Sequence, residues 1–133
     1  MLWIGVIVLV LLSTIVGLVI FNLAKGGVAW PIIHEIPEGY KGWIVVQYQD
    51  PRCAPRAVRG IFRIVRISTD GKGCTSDHAP KGWGYFTAEY TKADGTRVAP
   101  PFRLIATDPL KNLEIGFVGT EEEMQRNWDK YPR

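Results

Sequence analysis

Residues 43–49 read WIVVQYQ. β-Branched and aromatic side chains dominate the stretch, and both suit a pleated, half-buried surface. A strand alternates its side chains, so Ile44, Val46 and Tyr48 share one face. Asp50-Pro51 closes the run. Working outward, Ile61 to Ile67 (IFRIVRI) is a second strand, closed by Ser68-Thr69-Asp70-Gly71. A third runs from Trp83 to Thr91. Asp94-Gly95 is a tight-turn dipeptide, so a strand starting at Thr96 returns as a hairpin. Pro100-Pro101 interrupts that strand and argues for an edge or a break. Phe102 to Ala106 and Leu113 to Val118 supply the remaining strands. Short strands at roughly ten-residue spacing predict a mainly β fold, a small sandwich or barrel of about five to seven strands.

The C-terminal end changes period. Thr120 and Glu123 have capping-box spacing, and Glu121, Glu122 and Glu123 place negative charge in a first helical turn. Met124, Trp128 and Tyr131 fall on one face, so a short helix is expected to pack on the sheet or its rim.

The N-terminal end is of another kind. Leu2 to Leu23 reads LWIGVIVLVLLSTIVGLVIFNL and carries no charged side chain. As a helix it covers roughly 30 Å, the thickness of a bilayer core. A signal peptide has a basic start and a shorter apolar run. Residues 1–24 are therefore read as a transmembrane anchor, with a cleaved signal as the alternative, since Gly27-Val28-Ala29 offers small residues for cleavage. Ser13 and Gly17 have the small-xxx-small spacing that sometimes brings membrane helices together. Lys25 to Lys41 is rich in Gly and Pro and reads as a tether. The β domain is then expected over residues 42–133.

Setting the apolar segment aside leaves about 105 residues, enough for one domain and not two. The 133-residue chain carries a formal net charge of +3. So small an excess keeps a domain soluble and does not imply a nucleic-acid partner. The dense charge cluster is Arg52, Arg56, Arg59, Arg63 and Arg66. Such a stripe would suit an anionic partner, such as lipid headgroups or an acidic glycan, or it is a plain solvated face. Trp30, Trp43 or Trp83 exposed beside these arginines would favour binding.

Cys53 and Cys74 flank the second strand. A disulfide between them would close a loop of about 20 residues and stabilise the fold by roughly 3 kcal/mol. It requires Cα atoms within about 7 Å. The alternatives are two buried thiols, or a metal site that would need His34 and His78 as well, every Cys and His in the chain. Ser76-Asp77-His78 is contiguous, and contiguous residues cannot face one another as a catalytic triad. Asp70 and Asp77 lack calcium-loop spacing, and no glycine-rich phosphate loop occurs. No cofactor is expected.

Ile36-Pro37-Glu38-Gly39-Tyr40-Lys41-Gly42-Trp43, followed by Ile44-Val45-Val46, resembles the opening of a family of small bacterial envelope proteins of unknown function. Asp50-Pro51-Arg52-Cys53, Gly73-Cys74-Thr75 and residues 117–123 resemble it too. The resemblance implies an exported β domain and no known catalytic residues. No cysteine adjoins the apolar segment, unlike the lipoprotein members. Lys25 and Lys41 alone would favour a cytoplasmic domain. The cysteines, and the resemblance, favour one outside it, in the periplasm or at the cell surface. The expected function is a non-enzymatic, membrane-anchored binding or structural module. It contacts lipid through residues 2–23 and meets a protein or anionic envelope partner. The alternatives are a hydrolase or metal-dependent enzyme using His34 or His78, and an accessory subunit of a membrane complex.

Overall fold

The computed structural model describes residues 1–26, 30–81 and 84–133. The Gly27-Val28-Ala29 cleavage candidate and Trp83 lie outside the described residues.

The chain divides into two units, one holding the N-terminal helix and the other the β domain. Helix α1 spans Leu2–Gly26. Its stretch Leu2–Asn22 is 21 residues long, has a mean hydropathy of 3.0 and is not buried by protein. The polar side chains bond back to their own helix: Ser13 Oγ to the Val10 carbonyl, Thr14 Oγ1 to the same oxygen, and Asn22 Nδ2 to the Leu18 carbonyl. Polar groups that donate in this way are satisfied within the helix and need no acceptor from the surroundings.

The β domain stacks two mixed sheets. The first contains β1 (Ile32–Glu35), β3 (Ala57–Arg59), β4 (Phe62–Arg66), β6 (Phe86–Thr91) and β7 (Arg97–Val98), in the order β3-β4-β1-β6-β7. The second contains β2 (Gly42–Gln47), β5 (Lys72–Cys74), β8 (Phe102–Asp108) and β9 (Leu113–Val118), in the order β5-β2-β9-β8. Strand β1 pairs in parallel with both β4 and β6. In the second sheet β9 is antiparallel to β2 and to β8. Ile44, Val46 and Tyr48 do face inward together, against Ile32, Ile36, Val65, Ile67, Ala88 and Val118. The Asp94-Gly95 hairpin forms, joining β6 to β7, and the Thr120–Glu123 capping box opens helix α2 (Glu121–Arg126).

Three elements differ from the sequence expectation. Residues 32–35, placed in the tether, are the central strand of the first sheet. Ile32, Ile33 and His34 are all buried, so the strand shows no alternation to recognise, as is usual when both edges are paired in parallel. The third strand begins at Phe86, not Trp83. The mainly β class holds, but the strands are more numerous than five to seven. The short edge pieces β3, β5 and β7 carry too few residues for a periodic signal.

Gly71 closes the turn after β4 with φ of +80°. A Cβ there would overlap the Trp43 carbonyl and the Tyr40 hydroxyl. Gly95 has a similar φ of +85° but open space around it. Gly71→Ala should therefore cost about 2–4 kcal/mol, adding overlap to backbone strain, while Gly95→Ala costs about 1 kcal/mol. Urea unfolding of the detergent-solubilised full chain measures both; equal losses would contradict the packing described.

Candidate functional site

His34 lies on the inner face of β1, Glu114 on the inner face of β9, and Tyr48 just past β2. All three are sealed from solvent, at 0%, 2% and 1% exposure. His34 Nδ1 lies 2.9 Å from the Thr87 carbonyl oxygen. A carbonyl only accepts, so Nδ1 carries a proton. His34 Nε2 meets Glu114 Oε1 at 2.5 Å, so one further proton lies between them. Tyr48 Oη donates to the other oxygen, Oε2, at 2.9 Å. Burial, then Glu114, pushes the Tyr48 hydroxyl well above its ordinary pKa. The Phe102 ring covers the imidazole at 4.9 Å. These bonds tie one sheet to the other through the core. With no open face, the group has no path for a substrate, and a histidine beside a carboxylate here acts as a clamp.

His78 is exposed, with Nδ1 2.9 Å from the Gln49 amide nitrogen. Asp77 bonds the Arg56 side chain and backbone instead of serving a triad. Partial burial raises the Asp77 pKa, but the Arg56 bonds outweigh it and the net shift is downward. Among the described residues no three His, Cys, Asp or Glu side chains converge as metal ligands.

The arginine stripe is dispersed. Arg52 forms a two-pronged bond with Asp50, at 3.0 and 2.9 Å, which lowers the Asp50 pKa. Arg56 is committed to Asp77, Arg59 to Glu89 at 2.9 Å, and Arg66 to Glu35 at 3.4 Å. Arg63 instead lies over the Trp30 ring, 4.9 Å from its centroid. Cys53 and Cys74 are joined in a disulfide, their Cα atoms 5.9 Å apart.

An accessible concavity lies elsewhere, on the outer face of the second sheet. A groove of about 540 Å³ has Val45, Leu113 and Ile115 for a floor and Lys72 and Lys111 at its rim. Tyr131, Pro132 and Arg133 close one side. Trp43 holds that C-terminal segment down. Its indole donates to the Asn127 carbonyl at 2.8 Å, and its ring meets those of Phe117, Trp128 and Tyr131 at 5.0 to 5.6 Å. Asp108, also in the groove, already accepts from the Leu110 and Lys111 backbone.

Residues 31–98 match the model of a family of unknown function, DUF6843. The chain belongs to that family. None of the curated proteins matches it. Among solved structures, a candidate lipoprotein from Bacillus anthracis superposes on this DUF6843 chain with a TM-score of 0.60 and 20% identity, over 74% of this chain and 76% of that one. At that identity the likeness concerns the fold.

The DUF6843 span takes in His34, Tyr48, both cysteines and the arginine stripe, and ends before Glu114 and most of the groove. Sequence reasoning missed Glu114 as the partner of His34. The sequence hid it: the apolar alternation of Leu113, Ile115 and Phe117 reads as the inward face, whereas Glu114 is buried on the face it shares with Gly116 and Val118.

In this DUF6843 protein, Glu114→Ala should cost about 3–5 kcal/mol by stranding His34. Tyr48→Phe leaves one carboxylate oxygen unmet and should cost about 1–3 kcal/mol. Urea unfolding at neutral pH gives both. A pH series gives a second test. Below about pH 10 tyrosine is neutral folded or unfolded; above it only the unfolded chain ionises freely, so stability falls as pH rises through that point. Tyr48→Phe should flatten the fall. Tyr40, raised by burial and then by Asp70, accounts for part of what remains.

Proposed function

We propose that this protein is a membrane-anchored envelope protein whose β domain is a non-enzymatic binding module held outside the cytoplasm. One observation carries the reading. A 21-residue helix of mean hydropathy 3.0, none of it buried, is followed within a few residues by a folded β domain. So much contiguous apolar surface is not left in water, and its length suits a bilayer. The anchor is assigned to residues 1–24 and the β domain begins at Trp30.

Further observations support an exported address. The Cys53–Cys74 disulfide persists in oxidising compartments and is rare in the cytosol. The fold is shared with a candidate lipoprotein, although here both cysteines are spent on the disulfide and the anchor is the helix. The stretch Ile36 to Trp43 is read as the family's opening signature. Its role is structural, since the Tyr40 hydroxyl bonds the Trp43 carbonyl and packs against Gly71. Binding is favoured over catalysis because the open groove is apolar-floored while the buried histidine–carboxylate pair is sealed. The sealed His34 and the exposed His78 give the hydrolase alternative no cleft.

The full chain should pellet with membranes, resist carbonate extraction and dissolve in detergent. Protease added to intact cells or, for a periplasmic domain, to spheroplasts should remove the β domain and spare the helix. Alkylation without reductant should leave both cysteines unmodified, and reduction in denaturant should expose both. A protected domain with freely labelled thiols would place it in the cytoplasm and end this reading.

A further inference from the structure

The parallel strands β1, β4 and β6 begin at the same end of the first sheet. The Ile32 amide donates to the Tyr85 carbonyl and the Arg63 amide to the Pro31 carbonyl, so Trp30, Ile61 and Tyr85 sit within a residue of one row. Val58 stands opposite Arg63 on β3, beside that row. These apolar and aromatic side chains are left in the open: Val58 is 64% exposed, Tyr85 63%, and Trp30 and Ile61 57% each. Elsewhere on the sheet the surface is charged and internally paired, with Arg59 and Arg97 on Glu89 and Arg66 on Glu35. Arg63, at the apolar end, is held by a ring rather than by a carboxylate.

We propose that this end of the five-stranded sheet rests on the lipid surface. Trp30, Ile61, Tyr85 and Val58 sink into the headgroup layer, and Arg63 meets lipid phosphate. The proposal rests on the anchor reading above. Covalent reach makes lipid the occupant: the four steps from Gly26, where α1 ends, to Trp30 extend at most ~14 Å. A helix that crosses the bilayer therefore delivers Trp30 to the headgroups or just above them. The chemistry agrees. Trp and Tyr are the residues that settle at a membrane–water boundary, their rings in apolar surroundings and their polar atoms wet. A cation beside them is drawn to anionic headgroups. An arginine stacked on a tryptophan keeps its outer donors for a phosphate.

The test uses the full chain, disulfide intact, in vesicles of phosphatidylglycerol and phosphatidylcholine. An environment-sensitive fluorophore is attached at Ile61→Cys or, independently, Val58→Cys, both exposed positions that leave the core untouched. Ala93→Cys, in the β6–β7 turn, reports the opposite end of the same sheet, about 23 Å away along β6. Leu12→Cys, at the middle of α1, reports the anchor. Positions 58 and 61 should emit further to the blue than position 93. Lipids spin-labelled near the headgroup should quench them several-fold more strongly. If 58, 61 and 93 all behave as in water while position 12 is quenched by lipids labelled deep in the acyl chain, the anchor stands and the proposal falls. If position 12 is also unquenched, the anchor reading falls and takes the proposal with it.

Discussion

A carboxylate inside a β sandwich must find partners there, and the architecture is arranged so that Glu114 finds two. His34 reaches it from the first sheet and Tyr48 from the end of β2. The Thr87 carbonyl fixes the imidazole from behind. Sheets packed only by aliphatic side chains tolerate sliding, because apolar contact is non-directional. Directed bonds at both oxygens of one carboxylate do not. The relative setting of the two layers follows from this buried connection. That a buried polar group specifies a register is well attested in some folds; here it spans the core from layer to layer.

The same residue types therefore do opposite work at different depths. Histidine and glutamate, the usual signs of catalysis, are sealed and structural. Arginine, the usual sign of an anionic partner, is mostly neutralised by neighbouring carboxylates. The open surfaces include an apolar-floored groove lined by Lys72 and Lys111, and an aromatic end where Arg63 stacks on Trp30. These open surfaces are what the proposed binding role draws on.

Much of the fold was legible because it is written in local periodicity. The alternation of Ile44, Val46 and Tyr48, the apolar run from Leu2, the Asp94-Gly95 turn and the Thr120–Glu123 cap each declare themselves within a few residues. The disulfide could be anticipated from two cysteines flanking one strand. What could not be read is non-local. Strand β1 has no alternation because both its edges are paired and its side chains are buried, and two prolines made it look like a connector. Glu114 and His34 are 80 residues apart, and nothing near either names the other. The arginines looked like one stripe because the carboxylates that hold Arg56, Arg59 and Arg66 lie far off along the chain, at Asp77, Glu89 and Glu35. The groove is made by sheet residues and a C-terminal segment that meet only after folding.

Under the proposed exported address, the position of β1 also bears on how the β domain would cross a membrane. It is the first strand to emerge after the helix, yet it sits in the middle of its sheet. It has no partner until residues 63–66 arrive on one side and 86–89 on the other. The bond to Glu114 must wait for still later residues. Contacts so distant along the chain form slowly, since each requires a large loop to close first. Translocation machinery that threads an extended polypeptide would thus meet little resistance from premature structure, and the domain would assemble almost as a single event once nearly all of it had passed through.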